Sequence, residues 1–330
     1  MPLLDVSDLS ITLRTQRGPA RAVRDVSFTL DRGETAGLVG ESGSGKTLTA
    51  LALLGLLPEG AQVTGSIRLE GEELVGASED RLCDLRGNRI AMVFQEPMTA
   101  LNPVHPVGRQ VAEPLRAHKG LDAAAARKEV IALLDRVGIA EAARRVDQYP
   151  HQFSGGQRQR ITIAMALACG PDLLVADEPT TALDVMVQQQ ILGLVRELVR
   201  ERGMALLLVS HNLGVIADNA ARTMVMYGGS VVESGPTRDV FARPRMPYTL
   251  GLVAARPRLT TQQLDRLPTI AGTVPDLADL PAGCPFAGRC RYTVDACFVT
   301  SPPPEIVGPS HVARCIRLDA VQADLQGAPA

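Results

Sequence analysis

No run of residues in this chain approaches the roughly 18 consecutive apolar positions that a membrane-spanning helix needs. The start, Met1-Pro-Leu-Leu-Asp5, also lacks the basic region and apolar core of a secretory signal. The expectation is a cytoplasmic chain that reaches a bilayer through partners. An excess of one charge is missing as well. Lys and Arg number 34 against 36 Asp and Glu, a formal net charge of −2 with no block of like charges. That gives no hint of the strongly basic domain or stripe by which nucleic-acid binders are usually recognised. What is present is ordinary: 45% hydrophobic and 21% charged residues over 330 positions. Such a chain suits one large soluble domain with an appendage, or two modest domains.

Residues 1–40 alternate as strands do, with Ile11, Leu13, Val23, Val26, Phe28 and Leu30 on one pattern. They predict an antiparallel edge sheet that leads into Thr35–Val39, a strand apolar on both faces. An apolar helix, Leu48 to Leu57, follows a glycine-rich loop. From about Glu96 to Ala168 the pattern is helical, and Asp122 caps one run. Leu173–Ala176 and Ala205–Val209 read as short buried strands separated by a helix from about Val185 to Arg202. Alternating strands and helices predict an α/β domain with a parallel sheet. Beyond about Val232 the composition shifts, and residues 243–309 are rich in proline and glycine.

Gly40, Glu41, Ser42, Gly43, Ser44, Gly45, Lys46 and Thr47 match the phosphate-loop pattern G-x-x-x-x-G-K-[ST] between a strand and a helix. Glycines let successive backbone N–H groups face the phosphates, and the helix start adds its positive dipole end. Lys46 is then the partner of the β- and γ-phosphates, and Thr47 a Mg²⁺ ligand. Asp177 ends the apolar run Leu173–Ala176 at the edge where ligands bind in open α/β sheets, which suits a Mg²⁺ shell. Glu178 is placed to act as general base toward the attacking water. Gln95 and His211 follow strands too, but alone they carry no signal. Ser154, Gly155, Gly156 and Gln157 open a second helix with an anion-binding start. One chain needs only one phosphate loop, so the second makes sense if it closes over another subunit's nucleotide.

This set resembles the ATP-binding cassette (ABC) family over about residues 3–235. The resemblance makes Gln95 the Q-loop glutamine, Ser154–Gln157 the signature, Asp177 and Glu178 the Walker B pair, Ala182-Leu-Asp184 the D-loop and His211 the switch histidine. It implies a P-loop NTPase cassette: a RecA-like parallel core, an antiparallel β edge and a helical subdomain at about 96–168. It further implies an ATPase that pairs head to tail, holds ATP and Mg²⁺ (through Thr47, Gln95 and Asp177), and uses Glu178 and His211 in hydrolysis. Arg17 stands, by spacing, where most cassettes stack an aromatic on the adenine, and a guanidinium can stack on a base. Asn212 stands where aspartate is common, and Phe153 where leucine is common. The alternative reading is a soluble cassette ATPase of DNA repair or translation. Single cassette, mild acidity and absence of heptads argue against it.

Phe94–Pro103, Tyr149–Phe153, Ser210–Val215, Pro247–Leu250 and Gly283–Cys290 narrow the resemblance to peptide and nickel uptake systems, in particular the D-type ATPases of dipeptide and oligopeptide importers. That implies a peripheral protein on the cytoplasmic face of the membrane. Its partners are then a related F-type ATPase or a second copy, two permeases and an extracytoplasmic solute-binding protein, with no nucleic acid. The cassette is expected at 1–235 and a C-terminal domain at 236–330. Of six cysteines, Cys83 and Cys169 are isolated and read as structural core residues. Cys284, Cys290, Cys297 and Cys315 form C-x5-C-x6-C-x17-C among glycines and prolines, which suits a metal centre. Four thiolates fit zinc or an iron–sulfur cluster, although zinc's usual close pairs are missing. The resemblance implies [4Fe–4S]. His311 reads as a surface residue.

Overall fold

The computed structural model describes residues 1–95, 100–180, 183–256 and 269–327. The strands among them are β1 Leu4–Thr15, β2 Gly18–Leu30, β3 Thr35–Val39, β4 Gln62–Leu69, β5 Glu72–Glu73 and β6 Ile90–Val93. Further along come β7 Leu173–Asp177, β8 Ala205–Ser210, β9 Arg222–Tyr227, β10 Ser230–Pro236, β11 Glu305–Gly308 and β12 His311–Ala313. The chain gathers into two compact units. The first comprises residues 1–4, 30–35 and 69–209, and the second 5–29, 36–68 and 210–330.

In the first unit β6, β7 and β8 run parallel, with Ile90 opposite Leu173 and Leu173 opposite Ala205. All residues of β6 and β7 are buried, which is why their sequences read as unbroken apolar runs. Each such Leu or Val contributes about 1.5–3 kcal/mol relative to an exposed side chain. Where β6 and β7 begin, the Arg89 carbonyl accepts from the Asp172 and Leu173 amides at 2.9 and 3.1 Å. The longer helices are Val107–Lys119, Ala123–Arg136, Gly155–Leu167 and Val185–Arg202. Asp122 caps the second, accepting from the Ala125 amide at 2.8 Å, and Ala126, Val130, Leu133 and Leu134 form its buried stripe. Asp184 caps the fourth, which ends at Gly203 in the left-handed region (φ 62°).

In the second unit β2, β1 and β4 are neighbours, and Val23, Val26 and Phe28 of β2 are buried in the core. A second run of strands has the order β11-β12-β10-β9-β3, with β3 and β9 parallel and the other pairs antiparallel. The proline-rich tail is therefore not wholly loop, because β11 and β12 add to β10. The sequence-based boundary at 235/236 falls within β10.

Three expectations need correction. The helix foreseen at Leu48–Leu57 runs Lys46–Leu53 instead. Gly55 turns left-handed (φ 63°), and the Leu56 amide folds back on the Leu51 carbonyl at 3.0 Å, which ends the helix in a Schellman-type closure. Cys83 is exposed rather than core, because the helix Glu79–Leu85 buries its Leu82 and Leu85 face and turns Cys83 outward. His311 is buried rather than on the surface. Strands β10 and β11 flank it, and its Nε2 pairs with Glu233 Oε1 at 2.7 Å.

Candidate functional site

The phosphate loop belongs to the second unit, between β3 and the helix Lys46–Leu53. A Cβ on Gly40 would come within 2.1 Å of the Met226 carbonyl oxygen, so only glycine fits. Gly45 takes φ 101° as the helix cap and, lacking a side chain, makes no side-chain cap bond to the first helical amides. Such amides at a helix start are the usual seat of a phosphate. The Lys46 ammonium, itself buried, donates to the Gly40 and Glu41 carbonyls at 2.9 and 3.0 Å. Its charge is thereby held over the loop by neutral acceptors that a phosphate oxygen outcompetes. Ser42, Gly43 and Thr47 are exposed, while Ser44 is buried.

Two residues far along the chain, whose motifs carried no assigned role in the sequence, brace this loop. Tyr248 Oη accepts from the Glu41 amide at 2.8 Å, and Arg289 forms a two-pronged ion pair with the Glu41 carboxylate. Arg17 is held by Asp279 through two hydrogen bonds of 2.8 and 2.7 Å, so its guanidinium edge is already engaged by the tail. His211 is exposed just beyond β8. Asn212 after it caps the helix Leu213–Asn219, its Oδ1 accepting from the Gly214 amide at 2.8 Å. Asparagine performs that role as well as aspartate.

The carboxylates belong to the first unit. Asp177 is buried at the C-terminal end of β7. Glu178 follows in the left-handed region (φ 47°), its amide donating to the Val209 carbonyl at 2.9 Å. That conformation is costly for a residue with a side chain and is typical of functional turns. The Gln95 side-chain Nε2 donates to Glu178 Oε2 at 3.3 Å, so the structure brings these two predicted residues together.

Ser154 is exposed and caps the helix Gly155–Leu167 in a reciprocal box. Its hydroxyl accepts from the Gln157 amide at 3.3 Å, and the Gln157 side chain accepts from the Ser154 amide at 3.1 Å. Phe153 before it is buried beneath the Arg145 guanidinium, 4.3 Å from the ring centre. Of the D-loop, Asp184 accepts from the Met186 and Val187 amides, and Ala182 lies outside the described residues. Residues 96–99 of the motif that begins at Phe94 also lie outside them.

Cys284, Cys290, Cys297 and Cys315 all line one narrow pocket with Phe286 and Ile316. Burial pushes the Cys284 and Cys315 thiols up to about 11, and the neighbouring cysteines add to the effect. The Tyr292 and Arg317 amides donate to the Cys290 and Cys315 sulfurs at 3.4 and 3.3 Å. Among the described residues no group of three or more His, Cys, Asp or Glu is set to hold a metal ion. The pocket thus has the donor chemistry of a thiolate centre without a closed ligand shell.

No helix among the described residues is long and apolar enough to cross a membrane. The ABC transporter family profile matches residues 23–181, and that of the oligopeptide/dipeptide transporter C-terminal region matches 232–297. A Brucella ovis protein named for peptide import as an ATP-binding protein is 50% identical over 334 residues, covering 98% of this chain and 99% of that one. OppD of Mycobacterium tuberculosis, an oligopeptide transport ATP-binding protein, is 48% identical over 97% of this chain, which spans 52% of its length. Among solved structures, the dimeric cassette MJ0796 bound to ADP and Pi is 27% identical with a TM-score of 0.64, covering 71% of this chain and 99% of that one. The core is therefore an ABC cassette of the P-loop NTPase fold. The chain belongs to the ABC transporter family of ATPases, in the branch that carries the oligopeptide/dipeptide transporter C-terminal region.

Proposed function

We propose that this chain is the ATP-hydrolysing subunit of an importer for di- or oligopeptides, or for a related small solute such as nickel. The observation that carries the cargo class is the near full-length similarity to a protein named for peptide import. The residue roles follow from the site. Gly40–Thr47 bind the phosphates, with Lys46 on the β- and γ-groups. Thr47, Gln95 and Asp177 hold Mg²⁺, and Glu178 accepts the proton of the attacking water while His211 contacts the γ-phosphate. Ser154, Gly155, Gly156 and Gln157 act on a partner's nucleotide, and Asp184 serves the D-loop. The partner is a second cassette, F-type or self, in a head-to-tail dimer.

The subunit works at the cytoplasmic face with two permeases and a solute-binding protein. In the first unit an open groove of about 690 Å³ is lined by Asn102, His105, Arg109, Gln110, Glu113 and Arg116. Gln110 fixes its rim by bonding Asn102 and the His105 carbonyl. That groove suits a cytoplasmic permease helix. We divide the chain into a cassette at 1–235, with its helical part at about 96–168, and a C-terminal domain at 236–330. In that domain Cys284, Cys290, Cys297 and Cys315 hold a [4Fe–4S] cluster in preference to zinc. Supporting this are the four thiols around one pocket and the amide donors on two sulfurs, a common means of stabilising thiolates in such centres.

The test is reconstitution with candidate permeases and binding protein in proteoliposomes. Peptide-loaded binding protein should stimulate ATP hydrolysis and drive peptide into the lumen. ATP hydrolysis indifferent to every peptide and to nickel would overturn the cargo class.

A further inference from the structure

The phosphate loop carries an anomaly. Its second residue is Glu41, a carboxylate within a loop that is to bind a triphosphate. The charge is met from the far end of the sequence. Arg289 Nη1 and Nη2 donate to Glu41 Oε2 and Oε1 at 2.8 and 3.2 Å. The Arg289 side chain is 6% exposed and that of Glu41 29%. The same guanidinium donates to Tyr227 Oη at 3.2 Å and to the Ala271 and Gly272 carbonyls at 2.9 and 3.3 Å. Each of its nitrogens thus has an acceptor, and the fork is fixed in one orientation. Burial opposes its charge, yet the Glu41 carboxylate and Tyr227 hydroxyl keep it more firmly protonated than an ordinary arginine.

The loop backbone is held by the same assembly. Tyr248 Oη takes the Glu41 amide, and Tyr227, Tyr248 and Phe286 pack with ring centres 4.6 to 5.4 Å apart. The Glu41 carbonyl in turn bonds Lys46 Nζ. Phe286 and Arg289 both lie between Cys284 and Cys290, so the cysteine segment itself supplies the brace.

Resting on the nucleotide-binding reading above, we propose that Arg289 is a positioning residue for ATP: it neutralises Glu41 and fixes the start of the phosphate loop. The C-terminal segment is then part of the nucleotide site's construction and not only an appendage. Without Arg289, a half-buried carboxylate in the phosphate-binding loop loses its cation, and like charges brought near one another are strongly unfavourable. The effect falls on binding and leaves the chemical step alone, so KM should rise with kcat unchanged.

The test is equilibrium titration of the purified full chain with a fluorescent MgATP analogue, with steady-state ATPase kinetics on the assembled transporter. Arg289→Ala should weaken binding by about tenfold, equivalent to ~1.4 kcal/mol, and raise KM with kcat held. Adding Glu41→Gln in that background removes the stranded charge and should restore affinity to within about threefold. Arg289→Lys keeps the charge without the fork and should fall between. A role confined to folding the tail predicts no rescue by Glu41→Gln. A folded Arg289→Ala or Arg289→Lys chain that binds like wild type, or a double variant no better than Arg289→Ala, would overturn the proposal. Wild-type chain that fails to bind MgATP, with Lys46→Ala no different, would instead sink the nucleotide reading.

Discussion

The Gln95 side-chain amide donates to Glu178 Oε2 at 3.3 Å, and Glu178 sits on a left-handed backbone turn immediately after the buried Asp177. A carboxylate in this setting has its orientation fixed by backbone and neighbour before any nucleotide arrives. Glu178→Gln keeps the shape and removes the proton acceptor. ATP should still bind and close the dimer, while turnover falls by about 10²–10⁴. Single-turnover hydrolysis by the purified variant complex measures this directly, and an unchanged rate means that the base lies elsewhere.

Ser154 presents its cap at the surface. If it completes a partner's site, each monomer holds only half of the machinery. The isolated subunit should then hydrolyse ATP poorly, with specific activity rising as concentration drives pairing. Activity per chain that stays constant with dilution, in a preparation that light scattering shows to be monomeric during turnover, contradicts the head-to-tail arrangement.

Much of this was readable from local pattern. The runs Leu173–Ala176 and Ala205–Val209 are apolar throughout because both faces are covered. Asp122, Ser154 and Asp184 cap helices because their short side chains reach amides two or three residues on. The phosphate loop is likewise a contiguous signal. The rest depends on distant residues meeting. Arg289 and Glu41 lie 248 positions apart, and neither periodicity nor spacing connects them. Cys83 and His311 were misplaced for the same reason, since burial of a single residue depends on which face a helix turns inward or which strands flank it. The pairing of Arg17 with Asp279, 262 residues away, is equally invisible to spacing.

A charge cluster in the first unit sets an acid limit on stability. Asp172 binds Arg32 (2.6 Å to Nη1) and Arg89, and Glu70 binds the same two arginines. Burial pushes the Asp172 carboxyl up, but the hydrogen bonds from Arg32 and Arg89 outweigh it and hold the group below its usual range. A carboxylate depressed in the folded state adds stability above its unfolded pKa of about 3.9 and loses it as pH falls through the folded value. Asp172→Asn should therefore cost roughly 1 kcal/mol at neutral pH, the arginines being partly solvated. The gap to wild type should close below about pH 3.9. Urea melts across that range decide it, and a gap that stays constant with pH would assign the loss to packing.

The cysteine pocket yields the last prediction. Burial holds Cys284 and Cys315 as neutral thiols up to about 11, so an apolar pocket of this kind stabilises thiolates only when a cation is bound. Among the described residues between Cys284 and Cys315 the regular elements are short, the helix Ala296–Val299 and strands β11 and β12, so a ligated centre, if present, would act as a staple. Hydrolysis has no electron-transfer step, so the centre is expected to hold structure and to leave redox chemistry aside. Phe286 and Arg289 lie inside the first loop it would close, so losing the centre should loosen the phosphate-loop brace as well as the tail. Anaerobic purification should give a brown protein absorbing near ~400 nm with about four iron per chain, as a four-cysteine cluster implies. Cys290→Ser should bleach the colour, increase proteolysis of the tail and weaken MgATP binding in the direction of Arg289→Ala. A colourless anaerobic preparation with one zinc per chain would replace iron by zinc. A metal-free chain with an intact, protease-resistant tail would remove the centre altogether, leaving the Arg289 brace to stand on its own contacts.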